Sequence, residues 1–238
     1  MFFYNYFSYL IFAAPVLIIS LLAQAKVKSA YKKYSKIQNS RRISGAMAAQ
    51  LILNHYGITD VRIESCQGKL TDHYSPNEKV IRLSQGVFSG SSVAAVGIAC
   101  HEAGHAAQHA ENYLPNTIRT ALVPVTNFGS RFGLIIAFLG YFLAYGSNSD
   151  FGFYFIIAGL ALYGLVALFQ FVTLPVEFNA SRRALRVIEE TGMLSVEEYS
   201  GAKSVLTAAA MTYVAALATA IVNLLYYALR LLGNNRRR

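Results

Sequence analysis

The segment FSYLIFAAPVLIISLLAQA, residues 7–25, carries no charge and is followed at once by Lys26, Lys28, Lys32, Lys33, Lys36, Arg41 and Arg42. As a helix it is long enough to cross the hydrocarbon layer of a bilayer, which takes about 20 residues. A signal peptide is the competing reading, because Ala23-Gln24-Ala25 has the small-residue form of a cleavage site. Such a peptide opens with positive charge, whereas here an uncharged aromatic start precedes the lysines. The order reads as a retained anchor with its N-terminus outside and the basic segment in the cytoplasm.

Composition agrees. The 238 residues leave room for one or two domains, and 55% hydrophobic against 14% charged residues, with a mean hydropathy of +0.38, excludes a disordered chain and marks a membrane protein. Three further apolar regions run over Phe132–Tyr145, Phe151–Leu174 and Ser204–Leu229. The polar stretch Gly146–Asp150 suits a tight helical hairpin at the outer surface, which returns both of its ends to the cytoplasm. The arm after Arg131 is short, so it tilts little, draws on residues before Arg131 or lets that arginine snorkel. Ser204–Leu229 is long enough to span, although parity then places Arg236, Arg237 and Arg238 outside, against the positive-inside tendency. The alternative is a helix lying partly in the interface or against the cytoplasmic part.

The net charge of +9, from 21 Lys and Arg against 12 Asp and Glu, suits contact with anionic lipid headgroups. No nucleic-acid-binding signature supports a nucleic-acid partner. Cys66 and Cys100 make no disulfide framework and read as small buried side chains. Lys26–Arg42 reads as a helix on the membrane surface.

Between anchor and hairpin, Ile43–Tyr56 reads as a helix stopped by Gly57. Val61–Glu64 and Lys79–Leu83 alternate as strands, separated by turn residues that include Gly68, Pro76 and Asn77, so a small antiparallel sheet is expected. The Ser89–Ser92 cluster offers N-caps to a helix over Val93–Ala110.

That helix carries His101-Glu102-Ala103-Gly104-His105, the H-E-x-x-H pattern. A spacing of four sets both imidazoles on one face, one turn apart, where they can grip one Zn²⁺ with Glu102 beside the metal. The bland alternative is a pair of satisfied polar histidines on a buried helix. A catalytic zinc takes three protein ligands and keeps a fourth position for water, so a third ligand is needed. His109 lies one turn further along and is carried past the metal by the helix axis. Asp150 falls in the outer loop. Glu177 is the best candidate: Pro175 suits the first turn of a helix running to about Glu190 and stopping near Gly192, which brings Glu177 in as the chain leaves the membrane. Macrodipole stabilisation alone would also favour a carboxylate there.

HEAGH together with LPVEFNASRRA (residues 174–184), the preceding GKLTDHYSP (68–76) and the following TYVAA (212–216) resembles the YugP-type bacterial membrane zinc metallopeptidases over nearly the whole chain. More distantly the chain is similar to the HtpX-type proteases, whose glutamate ligand lies in an E-x-x-A-D type motif. Here Glu177 matches and Ser181 stands where that motif has its aspartate, which makes Asn179 and Ser181 candidate orienters of a histidine ligand. The resemblance implies a zinc-dependent endopeptidase of the bacterial cytoplasmic membrane.

The expected architecture is mainly α and integral to the membrane, with about four transmembrane helices and a small zincin-like α+β part. Its divisions are an anchor over 1–25, a cytoplasmic basic segment and zincin-like part over 26–131, a transmembrane hairpin over 132–174, a helix with the third ligand over 175–203, and a C-terminal hydrophobic helix with a basic tail over 204–238. The expected chemistry is hydrolysis of peptide bonds in membrane or membrane-associated proteins. His101, His105 and Glu177 hold the zinc, and Glu102 is the general base. Candidates for stabilising the oxyanion are His73, Tyr74, Tyr213, Arg182 and Arg183, and the strand Lys79–Leu83 is a candidate for edge pairing with an extended substrate. Expected partners are the bilayer, a protein or peptide substrate, and a membrane protein partner or second copy. One rival is a zinc-stabilised membrane scaffold without turnover. A metal transporter is disfavoured, since the three later apolar regions contain no His, Asp or Glu.

Overall fold

Four helices in the computed structural model are long and apolar enough to cross a membrane, over Tyr9–Tyr34, Leu114–Ala144, Phe151–Thr191 and Val196–Leu232. The structure describes residues 2–146 and 150–232. In chain order the elements are α1 (Phe2–Tyr34), α2 (Gly45–His55), β1 (Arg62–Cys66), β2 (His73–Ser75), β3 (Val80–Ser84), α3 (Gln85–Phe88), α4 (Val93–Ala110), α5 (Leu114–Gly146), α6 (Asp150–Thr191) and α7 (Val196–Leu232). This is a mainly α membrane protein with a small α+β part.

The chain forms two compact units. One holds the described residues of Met1–Leu22, Ile118–Thr173 and Tyr213–Arg238, and the other holds Ala23–Thr117 and Leu174–Thr212. In the first unit, Leu17, Ile18 and Leu22 of α1, Ile135 and Phe142 of α5, and Tyr154 and Phe171 of α6 are exposed. Helices that are apolar on all faces yet so little covered by protein have lipid as their solvent. Without a hydrophobic drive between helices in lipid, close backbone approach must hold them together. The α5–α6 hairpin shows it: a Cβ on Gly140 would lie 2.6 Å from the Gly152 carbonyl oxygen, and one on Gly129 would run into the Leu162 carbonyl. The loop residues 147–149 and the tail Arg236–Arg238, both singled out in the sequence, lie outside the described residues.

Three helix boundaries differ from the sequence expectation. The arm read from Phe132 belongs to α5, which begins at Leu114, so it does draw on residues before Arg131. The basic run is no separate surface helix: α1 continues through Lys33 to Tyr34, and only 35–42 leave it. Pro175 does not open a helix but sits inside α6. Its fixed φ is helical and it forfeits one amide donor, whereas breaking the helix beside an apolar segment would orphan several backbone groups.

In the second unit, Ser44 caps α2 by accepting from the Met47 amide, and Ser92 caps α4 by accepting from the Ala95 amide at 3.1 Å. Before α7, Ser195 and Glu198 form a reciprocal capping box, with the Ser195 amide donating to Glu198 Oε2 at 2.9 Å and the Glu198 amide donating to Ser195 Oγ at 3.3 Å. The core between these helices and the sheet includes Ile52, Leu53, Ile81, Leu83, Val96, Ala103 and Ile188.

The sheet is mixed, not antiparallel. Its order is β1-β3-β2, with β1 parallel and β2 antiparallel to β3. The three residues His73–Ser75, which fall in the stretch expected to be turn, are a strand that forms a hairpin with β3 and occupies one of its edges. β1 lies on the other edge of β3, parallel to it. β3 is therefore central and buried at Val80, Ile81, Leu83 and Ser84, and it offers no free edge to a substrate. The proposed edge pairing at Lys79–Leu83 is excluded.

Candidate metal centre

On α4 the four-residue spacing sets the His101 and His105 rings edge to face, 4.7 Å between centroids. α6 approaches this face closely because position 104 is glycine: a Cβ there would lie 2.5 Å from the Ala180 carbonyl oxygen. One turn from Ala180, Glu177 enters the same space with 3% of its surface exposed. The two Nε2 atoms are 3.2 Å apart, and Glu177 Oε2 lies 3.3 Å from His101 Nε2 and 3.6 Å from His105 Nε2. All of these residues belong to the second unit.

The outer nitrogens of both rings are held. Gln108, fully buried, donates from Nε2 to the Val176 carbonyl at 2.7 Å and to Asn179 Oδ1 at 3.0 Å. A carbonyl only accepts, so the amide orientation is fixed and Oε1 must accept from His105 Nδ1, 3.0 Å away. That places the His105 proton on Nδ1 and the lone pair on Nε2. Ser181 Oγ lies 3.0 Å from His101 Nδ1 and is hydrogen-bonded to that ring. Asn179 also accepts from Arg183 Nε at 2.7 Å, and Arg183 pairs with Glu111 at 2.7 Å, so the α4–α6 network is anchored at its outer end.

Two nitrogen lone pairs and a carboxylate oxygen at 3.2–3.6 Å repel one another unless a cation lies between them. Electrostatics point the same way: burial works against a charged His105, but its hydrogen bond to Glu177 and the charges of Glu102 and Glu177 hold the imidazole above its usual pKa. A tetrahedral zinc with bonds of about 2.0–2.1 Å spaces its ligand atoms about 3.3 Å apart, so the three donors fit that ion. Among the described residues they are the one group of three or more His, Cys, Asp or Glu side chains close enough to share a metal.

Glu102 is buried beside the triangle, and its carboxylate has no hydrogen-bond or ion-pair partner among the described residues. Cys100, two positions earlier on α4, is sealed in the core against Met193, and burial pushes its thiol up.

His109 Nδ1 is 2.8 Å from Tyr74 Oη, and burial, helped by Asp60, pushes the Tyr74 phenol up to about 12. His73 is exposed, with Nδ1 2.8 Å from the Thr71 carbonyl of its own loop. Arg182 is exposed on α6, Tyr213 belongs to the other unit, and Asp150 opens α6 with a side chain outside the described residues. Sequence reasoning missed Gln108, although its place three residues after His105 on the same helical face was a usable signal.

The model of a family described as "Putative neutral zinc metallopeptidase" matches residues 9–232. "Putative membrane protease YugP" of Bacillus subtilis (strain 168) is 43% identical to the chain over 209 residues, which are 88% of this chain and 90% of that relative. No solved structure matches the present chain. Both matches run through the H-E-x-x-H helix and most of the membrane segments, and the chain belongs to this neutral zinc metallopeptidase family.

Proposed function

We propose that the protein hydrolyses peptide bonds of membrane or membrane-associated proteins at the cytoplasmic face of the bacterial cytoplasmic membrane. The observation that carries this reading is the donor triangle of His101, His105 and Glu177 with an uncommitted carboxylate, Glu102, next to it. In this reading those three residues are the zinc ligands. When bound, zinc supplies Lewis acidity and a water whose pKa falls towards ~7. Glu102 takes the proton of the attacking water and hands it to the leaving amine, a duty for which a carboxylate without a competing partner is suited. Gln108 and Ser181 keep the Nε2 lone pairs of both rings turned inward.

The cytoplasmic assignment rests on charge. Lys26 to Arg42 and the donor triangle fall in the same compact unit, and a basic run next to an apolar span favours the cytoplasmic side. Purified full-length protein loaded with zinc is expected to cut an unfolded or membrane protein substrate and to stop when a chelator is added. Zinc-loaded protein that cuts nothing across a broad peptide library contradicts the reading.

The Gln108 network carries a separate expectation. Gln108→Ala leaves His105 Nδ1 without its acceptor and removes the donor to the Val176 carbonyl and one of the two donors to Asn179, and loss of such an outer partner typically costs about 10–100-fold in metal affinity. Gln108→Glu keeps an acceptor for His105 and should lose less. Competition with a chromophoric chelator measures both, and an unchanged affinity in Gln108→Ala would remove the network from the account.

A further inference from the structure

Within the second unit, α6 and α7 diverge around a cavity of about 400 Å³ whose charged side chains the proposed mechanism does not use. Its lining residues on α6 run from Phe178 to Glu189 and on α7 from Tyr199 to Ala210, each set at three- and four-residue steps, so one face of each helix is turned to it. Phe178, Leu185 and Leu206 give it an apolar wall. Arg182, Arg186 and Lys203 give it three positive charges against the single carboxylate of Glu189.

None of these four charged groups has a hydrogen-bond or ion-pair partner among the described residues. The contrast with the adjacent Arg183 is sharp: that guanidinium is bound to Glu111 and Asn179 and lies over the Tyr56 ring. Three unpaired cations converging on one cleft repel one another and favour an anion there, and guanidinium groups match the planar fork of a carboxylate. The volume lies in the usual range for ligand clefts, about 300–1,000 Å³.

Ser181 connects this cavity to the metal centre. It lines the cavity, and its hydroxyl is the one that meets His101 Nδ1. The cavity thus opens one side chain away from the donor triangle. An extended peptide advances about 3.3 Å per residue, so residues a few positions from a bond held at the triangle come within its reach.

We infer that this cavity is a substrate subsite that takes an acidic side chain, Asp or Glu, next to an apolar one, a few positions from the scissile bond. The inference rests on the peptidase reading and names a substrate preference for it. An apolar neighbour packs on Phe178 and Leu206 while the carboxylate meets Arg182, Arg186 and Lys203.

The test reads binding without turnover, on full-length zinc-loaded Glu102→Gln protein in detergent. Fluorescence anisotropy compares a short labelled peptide of alternating Glu and Leu with its counterpart carrying Gln for Glu. The Glu peptide should bind at least about tenfold more tightly. Arg186→Glu and Lys203→Glu should each weaken it about fivefold, since attraction at a partly solvated ion pair is exchanged for repulsion. Both variants should hold the Gln peptide within about twofold and retain their zinc. Equal affinities for the two peptides, no saturable binding of the Glu peptide, or charge reversals without effect would overturn the inference. So would displacement of the Glu peptide by phosphatidylglycerol where phosphatidylcholine has no effect, because the occupant would then be a lipid headgroup. Cleavage by the unsubstituted enzyme is a separate assay, so failure of the subsite and failure of the peptidase reading give different results.

Discussion

Glu102→Gln is expected to lower kcat by about 10³-fold, within the 10²–10⁴-fold that a positioned general base contributes, while leaving zinc content at the level of the unsubstituted protein. The argument is geometric. His101 and His105 point their Nε2 atoms at Glu177, while the Glu102 carboxylate lies outside that triangle and makes no hydrogen bond or ion pair among the described residues. The substitution keeps the size of the side chain and removes its ability to accept a proton. A 10³-fold loss corresponds to about 4 kcal/mol of transition-state stabilisation. The same substitution separates the enzyme from a zinc-stabilised scaffold, because a scaffold has no use for the base. A variant that keeps turnover within a few-fold of the original contradicts the role assigned to Glu102, and one that loses its zinc shows that Glu102 acts on the metal site instead.

Glu177→Gln should have the larger effect on the metal. Glu177 contributes the only anionic atom of the triangle, buried at 3% exposure between two imidazoles. Loss of an outer hydrogen-bond partner costs a zinc site about 10–100-fold in affinity, so replacing a charged ligand with a neutral amide should cost well over 100-fold. Turnover at limiting zinc should fall by the same factor. Retained affinity would mean that another residue completes the site.

Much of this architecture is legible in the residues because the signals are long or chemically narrow. The uncharged run of residues 7–25 and the apolar regions after Phe151 and Ser204 announce helices, since only a helix satisfies its backbone within an apolar segment. The start of α4 at Val93 follows from Ser92 as its cap. The structure also brings Glu177 to the two histidines, although Pro175, from which its entry was argued, lies inside α6. What was hidden has physical reasons. β2 is three residues long and embedded in turn chemistry, too short for any alternation to register, so the sheet was read with two strands and the wrong sense. Pro175 was read as a boundary because proline usually marks one in water, whereas α6 runs on through it. Gln108 carries no charge and no motif, and its importance appears only when its two amide ends are seen to bridge His105 and α6.

X-ray absorption at the zinc edge of the full-length, zinc-loaded protein tests the central claim most directly, because it reads the atoms around the ion. The account predicts a four-coordinate shell of nitrogen and oxygen only, with two imidazoles, at about 2.0–2.1 Å, which collapses when Glu177 becomes Gln. A sulfur neighbour at about 2.3 Å, which Cys66 or Cys100 would have to supply, or a shell left unchanged by the Glu177 substitution, would contradict it.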